Sequence, residues 1–426
     1  MTDSVGVMPS RRVRAVGRVA LVGLVVGTMA SCSLPSDGVK ASPNPSRVGT
    51  PTAQTGTVKE LPLPLLAWTS GGLPAHFGED LARVGGVQSV GVFVGGMSWL
   101  TSTHAPSGEA LERTRPGMGI PIDVGGSSPT TLRTFLPPSS SRFVPPLAEG
   151  EALLGRTAND FRQLSPGDML VFEGRPVEVA GIVPDEDIGG HEVFVSRATA
   201  TALGAGHELY ALVEPATSVS TERLAARIRA LAPSTAVRVR GPGGISYLRQ
   251  ADAVAPPVIL KSVFGEFQAS PHVGPDGSLT IDPSWTRANV VEATVPILGR
   301  VTCNRVLVPQ LRAALTEVER RGFAKLVNEA EYGGCFSARL IRGARSAIST
   351  HTWGAAVDLN VSSNLLSAEP RQDDRLVSIF GRWGFAWGGN FLVPDGMHFQ
   401  FDCFPRPLDP DSSPVCPPGG SHWPRD

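Results

Sequence analysis

The stretch of sequence that decides the fold is STHTWGAAVD at residues 349–358, followed by DGMH at residues 395–398. The two segments hold two histidines, an aspartate between them, and a second aspartate three residues before the last histidine. Two imidazoles and one carboxylate leave the fourth position of a zinc ion open to water, as catalytic zinc requires. The spare carboxylate is suited to handle that water's proton. The sequence therefore predicts a zinc site formed by His351, Asp358 and His398.

Two short strands are expected to carry this site. Residues 355–361 and 397–401 are each predicted to form a strand. Because side chains alternate along a strand, His398 and Gln400 share one face, and the phenylalanines next to them face the core. Two neighbouring strands can then bring Asp358 and His398 to one metal ion. The first histidine reaches in from the loop that precedes its strand.

The composition is that of a globular protein with more than one domain. The 426 residues are 41% hydrophobic and 18% charged. At this length, two domains plus tails are expected. The 38 Lys and Arg are balanced by 39 Asp and Glu. This balance argues against the basic patch of a nucleic-acid binder, so we expect no nucleic-acid partner.

The N-terminal segment has the features of an export signal. Four arginines between residues 11 and 18 precede an apolar run of twelve residues, which is too short to span a bilayer as a helix. The run ends in MASC at residues 29–32, which resembles a bacterial lipobox. We therefore predict a lipoprotein signal peptide at residues 1–32, with a lipidated Cys32. The alternative is a simple signal followed by a chance cysteine.

The remaining cysteines fit an oxidising compartment. They are Cys303, Cys335, Cys403 and Cys416. An even number in an exported protein suggests disulfides, which four cysteines can form in three ways. We expect pairing between neighbours in the sequence, the first two with each other and the last two with each other. A structural zinc site is the alternative, but the chain has no close Cys-x-x-Cys pair.

Composition also suggests how the chain is divided. Residues 33–61 are rich in Ser, Pro, Thr and Gly and form a tether that cannot bury enough apolar surface to fold. Residues 62–255 are predicted to be an α+β domain built of βαβ units, because strand-like and helix-like patterns alternate there. Residues 256–290 are expected to be a loose linker. The zinc-binding domain is predicted at residues 291–405, and a disulfide-bonded tail at residues 406–426.

The C-terminal motifs resemble those of VanY-type D-alanyl-D-alanine carboxypeptidases and of the L-alanyl-D-glutamate peptidases of phage endolysins. These are zinc peptidases related to lysostaphin-type enzymes and to the hedgehog fold. The resemblance spans roughly residues 295–403 and includes CFSAR at 335–339, IRG at 341–343 and WGFAWGG at 383–389. It implies an antiparallel sheet with helices for this domain.

The resemblance also implies a role for each candidate residue. The zinc ligands of the family fall on three positions of this sequence, His351, Asp358 and His398. Asp395 matches the general base and acid, which is a glutamate in the carboxypeptidase branch. Arg339 or Arg342 is the cation expected at the oxyanion or at a substrate carboxylate. Ser349 is a candidate substrate contact. Asn390 departs from the aspartate that many relatives have after the paired glycines.

The activity that the resemblance implies is zinc-dependent hydrolysis of peptide bonds in peptidoglycan stem peptides, of the D-Ala-D-Ala carboxypeptidase or L-Ala-D-Glu endopeptidase type. Together with the signal and the disulfides, it predicts a cell-membrane lipoprotein that faces the cell wall. The alternative is a non-catalytic, zinc-containing binding protein of the cell envelope that docks a membrane complex. The hedgehog relatives show that this fold need not hydrolyse anything.

The first domain resembles the extracytoplasmic core domain of MacB- and FtsX-type transporter permeases. The resemblance rests on the order of features in ALLGRTANDFRQLSPGDMLVFEGRPVEVAGIV at residues 152–183 and EVFVSRATATAL at residues 192–203. It implies a positioning or partner-binding module, with a protein partner as an expectation. Those permeases carry transmembrane helices around the domain, and the sequence offers none here, so a transport role is not carried over.

Overall fold

The computed structural model describes residues 64–136, 144, 147–240, 255–342 and 346–404. The predicted signal peptide with Cys32, the tether and the tail with Cys416 lie outside these residues. These described residues belong to one compact unit. No helix within the described ranges has both the length and the apolar character needed to cross a membrane.

Strands and helices are numbered in chain order. The strands of the described residues are β1 (Leu65–Thr69), β2 (Val87–His104), β3 (Ala110–Arg113), β4 (Ile120–Ser127), β5 (Glu151–Gly155), β6 (Met169–Phe172), β7 (Arg175–Val183), β8 (Val193–Ser196), β9 (His207–Pro215), β10 (Val237–Arg240), β11 (Val290–Val295), β12 (Gly299–Asn304), β13 (Ala356–Asp358), β14 (Phe385–Trp387) and β15 (His398–Phe401). The helices are α1 (Phe77–Ala82), α2 (Pro129–Phe135), α3 (Arg156–Arg162), α4 (Arg197–Ala202), α5 (Thr221–Ala230), α6 (Pro257–Phe264), α7 (Pro283–Asn289), α8 (Val308–Arg320) and α9 (Asp374–Arg382).

Strands β1–β10 form one mixed sheet in the spatial order β10-β1-β9-β2-β4-β8-β5-β7-β6, with β3 attached to β2. Strand β6 also pairs with β2, so the middle of the sheet closes on itself. The neighbouring pairs β4–β8 and β5–β7 are parallel, and the other pairs are antiparallel. Strands β9 and β10 are connected through α5 and form a βαβ unit. Strand β1 lies between these two strands in the sheet. The α+β fold expected for this part is confirmed, as a mixed sheet.

The closed part of the sheet surrounds an apolar core. Strand β8 is buried along its whole length, as expected for a strand covered on both faces. The cluster that includes its Val193 and Val195 also contains Val94 of β2, Ile122 and Val124 of β4, and Val179 of β7. Burying each such side chain contributes roughly 1.5–3 kcal/mol, so the cluster is a main source of stability for the sheet.

The segment 256–290, expected to be a loose linker, is folded instead. Helix α6 starts with Pro257, whose fixed φ suits the first turn of a helix, and is followed by Gly265 at φ 93°. After the helix, the ring of Phe267 packs against Trp285 in α7 and Trp353 near the C-terminal sheet, at centroid distances of 5.4 and 5.2 Å. Pro256 and Pro257 therefore begin a buried helix and not a connector. The domain boundaries themselves stay a prediction.

The C-terminal region contains two small antiparallel sheets, β11-β12 and β13-β15-β14. Helix α8 buries Leu311, Leu315 and Val318, which recur at spacings of four and three and so lie on one face. The predicted disulfide between Cys303 and Cys335 is present. Cys403 is also disulfide-bonded, while its predicted partner, Cys416, lies outside the described residues.

Candidate metal centre

Three predicted ligands meet at one point. His351 Nε2 lies 3.2 Å from Asp358 Oδ1 and 3.1 Å from His398 Nδ1, and the last two atoms are 3.1 Å apart. Tetrahedral zinc with bonds of about 2.0–2.1 Å separates its ligand atoms by about 3.3–3.4 Å, so this near-equilateral triangle fits a single ion with little adjustment. Among the described residues, these three form the group that could hold a metal ion.

The register of the small sheet brings two of the ligands together. Strands β13 and β15 are antiparallel, and Asp358 lies directly opposite His398. Directly opposite residues on an antiparallel pair project to the same face. The third ligand, His351, comes from the 3-10 helix Thr350–Trp353, which immediately precedes β13. The alternation of residues along the two strands predicts this arrangement.

The 3-10 helix that carries His351 is held at both ends. The Ser349 hydroxyl accepts a hydrogen bond from the His351 backbone N–H at 3.4 Å. At the other end, Gly354 has φ 63°. A Cβ at Gly354 would lie 2.5 Å from the backbone nitrogen of Asn304, so only glycine fits there. Ser349 is therefore the N-cap of this helix, and it is only 4% exposed. Its contact with substrate stays a prediction.

Each histidine is oriented through its second ring nitrogen. His351 Nδ1 donates to the backbone carbonyl of Cys335 at 2.8 Å. His398 Nε2 lies 3.2 Å from Gln400 Oε1 and 3.4 Å from Thr350 Oγ1. In the neutral form of each ring, acceptors at these nitrogens hold the ring proton there and leave the ligating nitrogen with a free lone pair. The alternation along the strand predicts that Gln400 shares a face with His398, but no motif in the sequence predicts this role of Gln400.

The charges of the site favour an ionised carboxylate among the ligands. Burial alone would raise the pKa of Asp358, but hydrogen bonds from His351 and His398 hold it well below its usual range. Burial alone would lower the pKa of His398, but the hydrogen bond and the charge of Asp358 raise it overall. A carboxylate that stays anionic in a buried site is the form that binds a cation.

The side chain of Asp395 stands beside the ligands with one oxygen unpaired among the described residues. Its backbone N–H donates to the Gly388 carbonyl at 2.9 Å, and its carbonyl accepts from the His398 N–H at 3.1 Å. Its side-chain Oδ1 is buried and has no hydrogen-bond partner among the described residues. Burial raises the pKa of Asp395, against the opposing charge of His398, and the charge of Asp358 raises it further. A partly buried carboxyl with one unpaired oxygen is typical of a group that exchanges a proton.

The two candidate arginines differ in their position. Arg339 is partly buried and donates to the Leu340 carbonyl at 3.2 Å. Burial and the nearby charge of Arg342 lower the pKa of Arg339, while Asp358 and Asp395 oppose this change. Arg339 is therefore within electrostatic reach of the site. Arg342 is exposed.

A tyrosine that the sequence analysis did not single out lies near the ligands. Burial and the charge of Asp358 raise the pKa of Tyr332 to about 12. Its hydroxyl is buried and has no hydrogen-bond partner in the part of the chain that the structure describes. Tyr332 therefore remains a protonated donor close to the site. No local pattern in the sequence points to it.

Residues 342–401 match a protein-family model described as D-alanyl-D-alanine carboxypeptidase. This segment resembles a peptidase. The peptidase-like segment, residues 342–401, contains the three converging residues and Asp395, while Arg339 and the carbonyl of Cys335 lie before it. A search of curated proteins found no match.

Two solved structures are similar to part of the chain. One is the periplasmic region of MacB from Actinobacillus actinomycetemcomitans, with 12% identity and a TM-score of 0.29, covering 44% of this chain and 92% of that one. The other is the extracellular domain of the ABC-type transporter YknZ from Gram-positive bacteria, with 15% identity and a TM-score of 0.27, covering 42% of this chain and 99% of that one.

Proposed function

We propose that the protein is a zinc-dependent peptidase that hydrolyses peptide bonds in peptidoglycan stem peptides, as a D-Ala-D-Ala carboxypeptidase or an L-Ala-D-Glu endopeptidase. The observation that carries the proposal is the triangle of His351, Asp358 and His398 donor atoms, with Asp395 beside it, whose Oδ1 is buried and has no hydrogen-bond partner among the described residues. Two imidazoles and one carboxylate are the donor set of catalytic zinc sites. The family match of residues 342–401 supports peptidase chemistry.

Each residue of the site has a task in this mechanism. Bound zinc would polarise the scissile carbonyl and acidify water. Asp395 accepts a proton from the attacking water and returns it to the leaving amine, which its unpartnered oxygen allows. Arg339 stabilises the negative charge that develops on the carbonyl oxygen. Gln400 and the Cys335 carbonyl keep the two imidazoles in their orientation.

The test is incubation of the zinc-loaded protein with defined stem peptides, followed by mass spectrometry of the products. We expect loss of the terminal D-alanine or cleavage after L-alanine. Asp395→Ala should abolish cleavage while the protein still binds one zinc. Unchanged cleavage by this variant would contradict the mechanism. A wild-type protein that binds zinc but cleaves no stem peptide would instead favour the non-catalytic binding role.

We also propose that the protein is a cell-membrane lipoprotein, anchored through Cys32 and facing the cell wall. The Cys303–Cys335 disulfide supports an oxidising compartment, and residues 1–32 have the pattern of an export signal. Its proposed partners are the stem peptides, the membrane, and a protein that binds the first domain. Cys32→Ala should release the protein from the membrane fraction and prevent incorporation of a labelled fatty acid. A variant that stays membrane-bound would contradict the lipid anchor.

A further inference from the structure

The ten-stranded sheet touches the chain just before His351. Residues 346–349, the first border segment, lead into the 3-10 helix with this ligand. The backbone N–H of Met97 in β2 donates to the Ser346 carbonyl at 3.2 Å. The preceding residue is Gly96, where a Cβ would lie 3.2 Å from the Ser346 hydroxyl. The sheet and the first border segment are therefore in contact at backbone distance.

The same sheet also touches the chain just before Asp395. Residues 388–395, the second border segment, connect β14 to this carboxylate. Arg238 on β10 donates to the Asn390 carbonyl at 2.9 Å. Leu392 packs against a buried cluster of the sheet that includes Trp68. The segment is closed at its end by the hydrogen bond from the Asp395 N–H to the carbonyl of its first residue, so its position and that of Asp395 are coupled.

A third link runs through helix α6. Lys261 Nζ donates to both carboxylate oxygens of Glu192, at 2.8 and 2.7 Å, just before β8. Both side chains are fully buried, so the pair fixes α6 on the sheet. The Phe264 carbonyl at the end of α6 accepts a hydrogen bond from Asn304 Nδ2 at 3.2 Å. Asn304 Nδ2 also donates to the Trp353 carbonyl at 3.0 Å, at the end of the 3-10 helix that carries His351.

We propose that the ten-stranded sheet is a positioning part of the peptidase centre, with Arg238 and Leu392 holding the second border segment and thereby Asp395. This inference rests on the proposed peptidase function. Catalytic groups must be held within about 0.5 Å of their productive positions, and contacts on both border segments supply that restraint. Arg238 acts through the Asn390 carbonyl and does not touch substrate, so it is a positioning residue.

The first test is Arg238→Ala in the full-length, zinc-loaded protein. A misplaced Asp395 should lower kcat by roughly tenfold to a hundredfold, with KM, zinc content and Tm close to wild type. Arg238→Lys keeps a donor and should recover part of the rate. Arg223→Ala is the matched control, because Arg223 is an exposed arginine of the same sheet domain on α5, and it should leave kcat unchanged.

The second test probes the first border segment. Gly96→Ala places a Cβ against Ser346 and should lower kcat, whereas Gly85→Ala is its control, because a Cβ there has no atom nearer than 3.8 Å. Hydrogen–deuterium exchange on the zinc-loaded protein without substrate should show faster exchange of residues 388–395 in Arg238→Ala and of residues 346–349 in Gly96→Ala.

The exchange readout separates the two proposals. If the wild-type protein cleaves no stem peptide but the border segments exchange faster in the variants, the peptidase function fails and the positioning role stands. If both variants keep wild-type exchange in these segments and wild-type kcat, the positioning role is wrong. A uniform rise in exchange over the whole chain in these variants, with a lower Tm, would show that the contacts only stabilise the fold. That result would also overturn the positioning role.

Discussion

The imidazole of His398 shows how a single side chain is prepared to bind a metal ion. Its Nδ1 points to the other two ligand atoms, and its Nε2 is held by Gln400 Oε1 at 3.2 Å. The ring is buried, so it cannot exchange these partners for water. A hydrogen-bond acceptor at the second ring nitrogen of a histidine fixes the tautomer and the orientation of the ring. We therefore expect metal binding to depend on Gln400 as well as on the ligands.

We predict that Gln400→Ala lowers zinc affinity by roughly 10–100-fold. This effect is typical of losing the hydrogen-bond acceptor of a metal-binding histidine. Competition with a chromophoric chelator measures this affinity. Gln163→Ala is the control, since Gln163 is an exposed residue of the sheet domain, away from the ligands in the sequence. A wild-type affinity in Gln400→Ala would show that Thr350 alone orients the ring.

A second prediction at the residue scale separates the two arginines. Arg339 is within electrostatic reach of Asp358 and Asp395, whereas Arg342 is exposed. Arg339→Ala should lower kcat by about 10²–10³-fold, as loss of an oxyanion-stabilising group does, and Arg342→Ala by much less. Steady-state kinetics on one stem peptide check both variants. The reverse order would assign the oxyanion role to Arg342.

At the scale of elements, helices α8 and α9 are joined by one buried carboxylate. Glu317 on α8 accepts hydrogen bonds from the Arg382 guanidinium and from Trp383 Nε1, both at 2.6 Å. Helix α9 buries Phe380 and precedes β14, which pairs with the strand of His398. The contact therefore supports the sheet that holds the site.

This contact predicts a pH dependence of stability. Burial alone would raise the pKa of Glu317, but the hydrogen bonds from Arg382 and Trp383 lower it below its usual range. A carboxyl whose pKa is lower in the folded state stabilises the fold above the pKa of the unfolded state. This stabilisation is lost as the pH falls through the folded-state pKa. Glu317→Gln should lower the free energy of unfolding by about 1.5–3 kcal/mol at pH 7, and the difference should shrink below about pH 4. Denaturant unfolding at several pH values measures it, and a difference that is constant with pH would contradict the role of the charge.

At the scale of the whole molecule, buried charges tie α6 to the sheet. Lys261 pairs with Glu192 and also lies 3.1 Å from Glu266, which in turn accepts from Arg162 at 2.8 Å. The side chains of Lys261 and Glu192 have no exposure at all. A buried pair of this kind adds little net stability, but removal of one partner leaves an uncompensated charge.

We predict that Lys261→Met lowers the free energy of unfolding by about 3–5 kcal/mol, because Glu192 then remains buried and charged. The double variant Lys261→Met with Glu192→Leu should recover most of this loss. Arg300→Met is the control, because Arg300 pairs with Glu292 on an exposed hairpin and should cost little. If the double variant were as unstable as Lys261→Met alone, loss of packing and not the unpaired charge would be the cause.

By itself, the sequence determined the local elements and the residues that converge. Alternation along β13 and β15 predicted which faces carry Asp358 and His398, and neighbouring cysteines predicted the disulfide of Cys303. The strand faces depend on residues only a few positions apart. The disulfide and the converging ligands depend on the order of their residues along the chain. A local pattern records them directly.

Only the tertiary structure decided how the two parts of the chain meet. It showed that residues 256–290 fold into α6, α7 and their contacts, it distinguished Arg339 from Arg342, and it placed the sheet against both border segments. Arg238 and Asn390 are 152 positions apart in the sequence. Contacts over such distances leave no periodicity in either segment, because each depends on how separate elements pack and not on neighbouring residues.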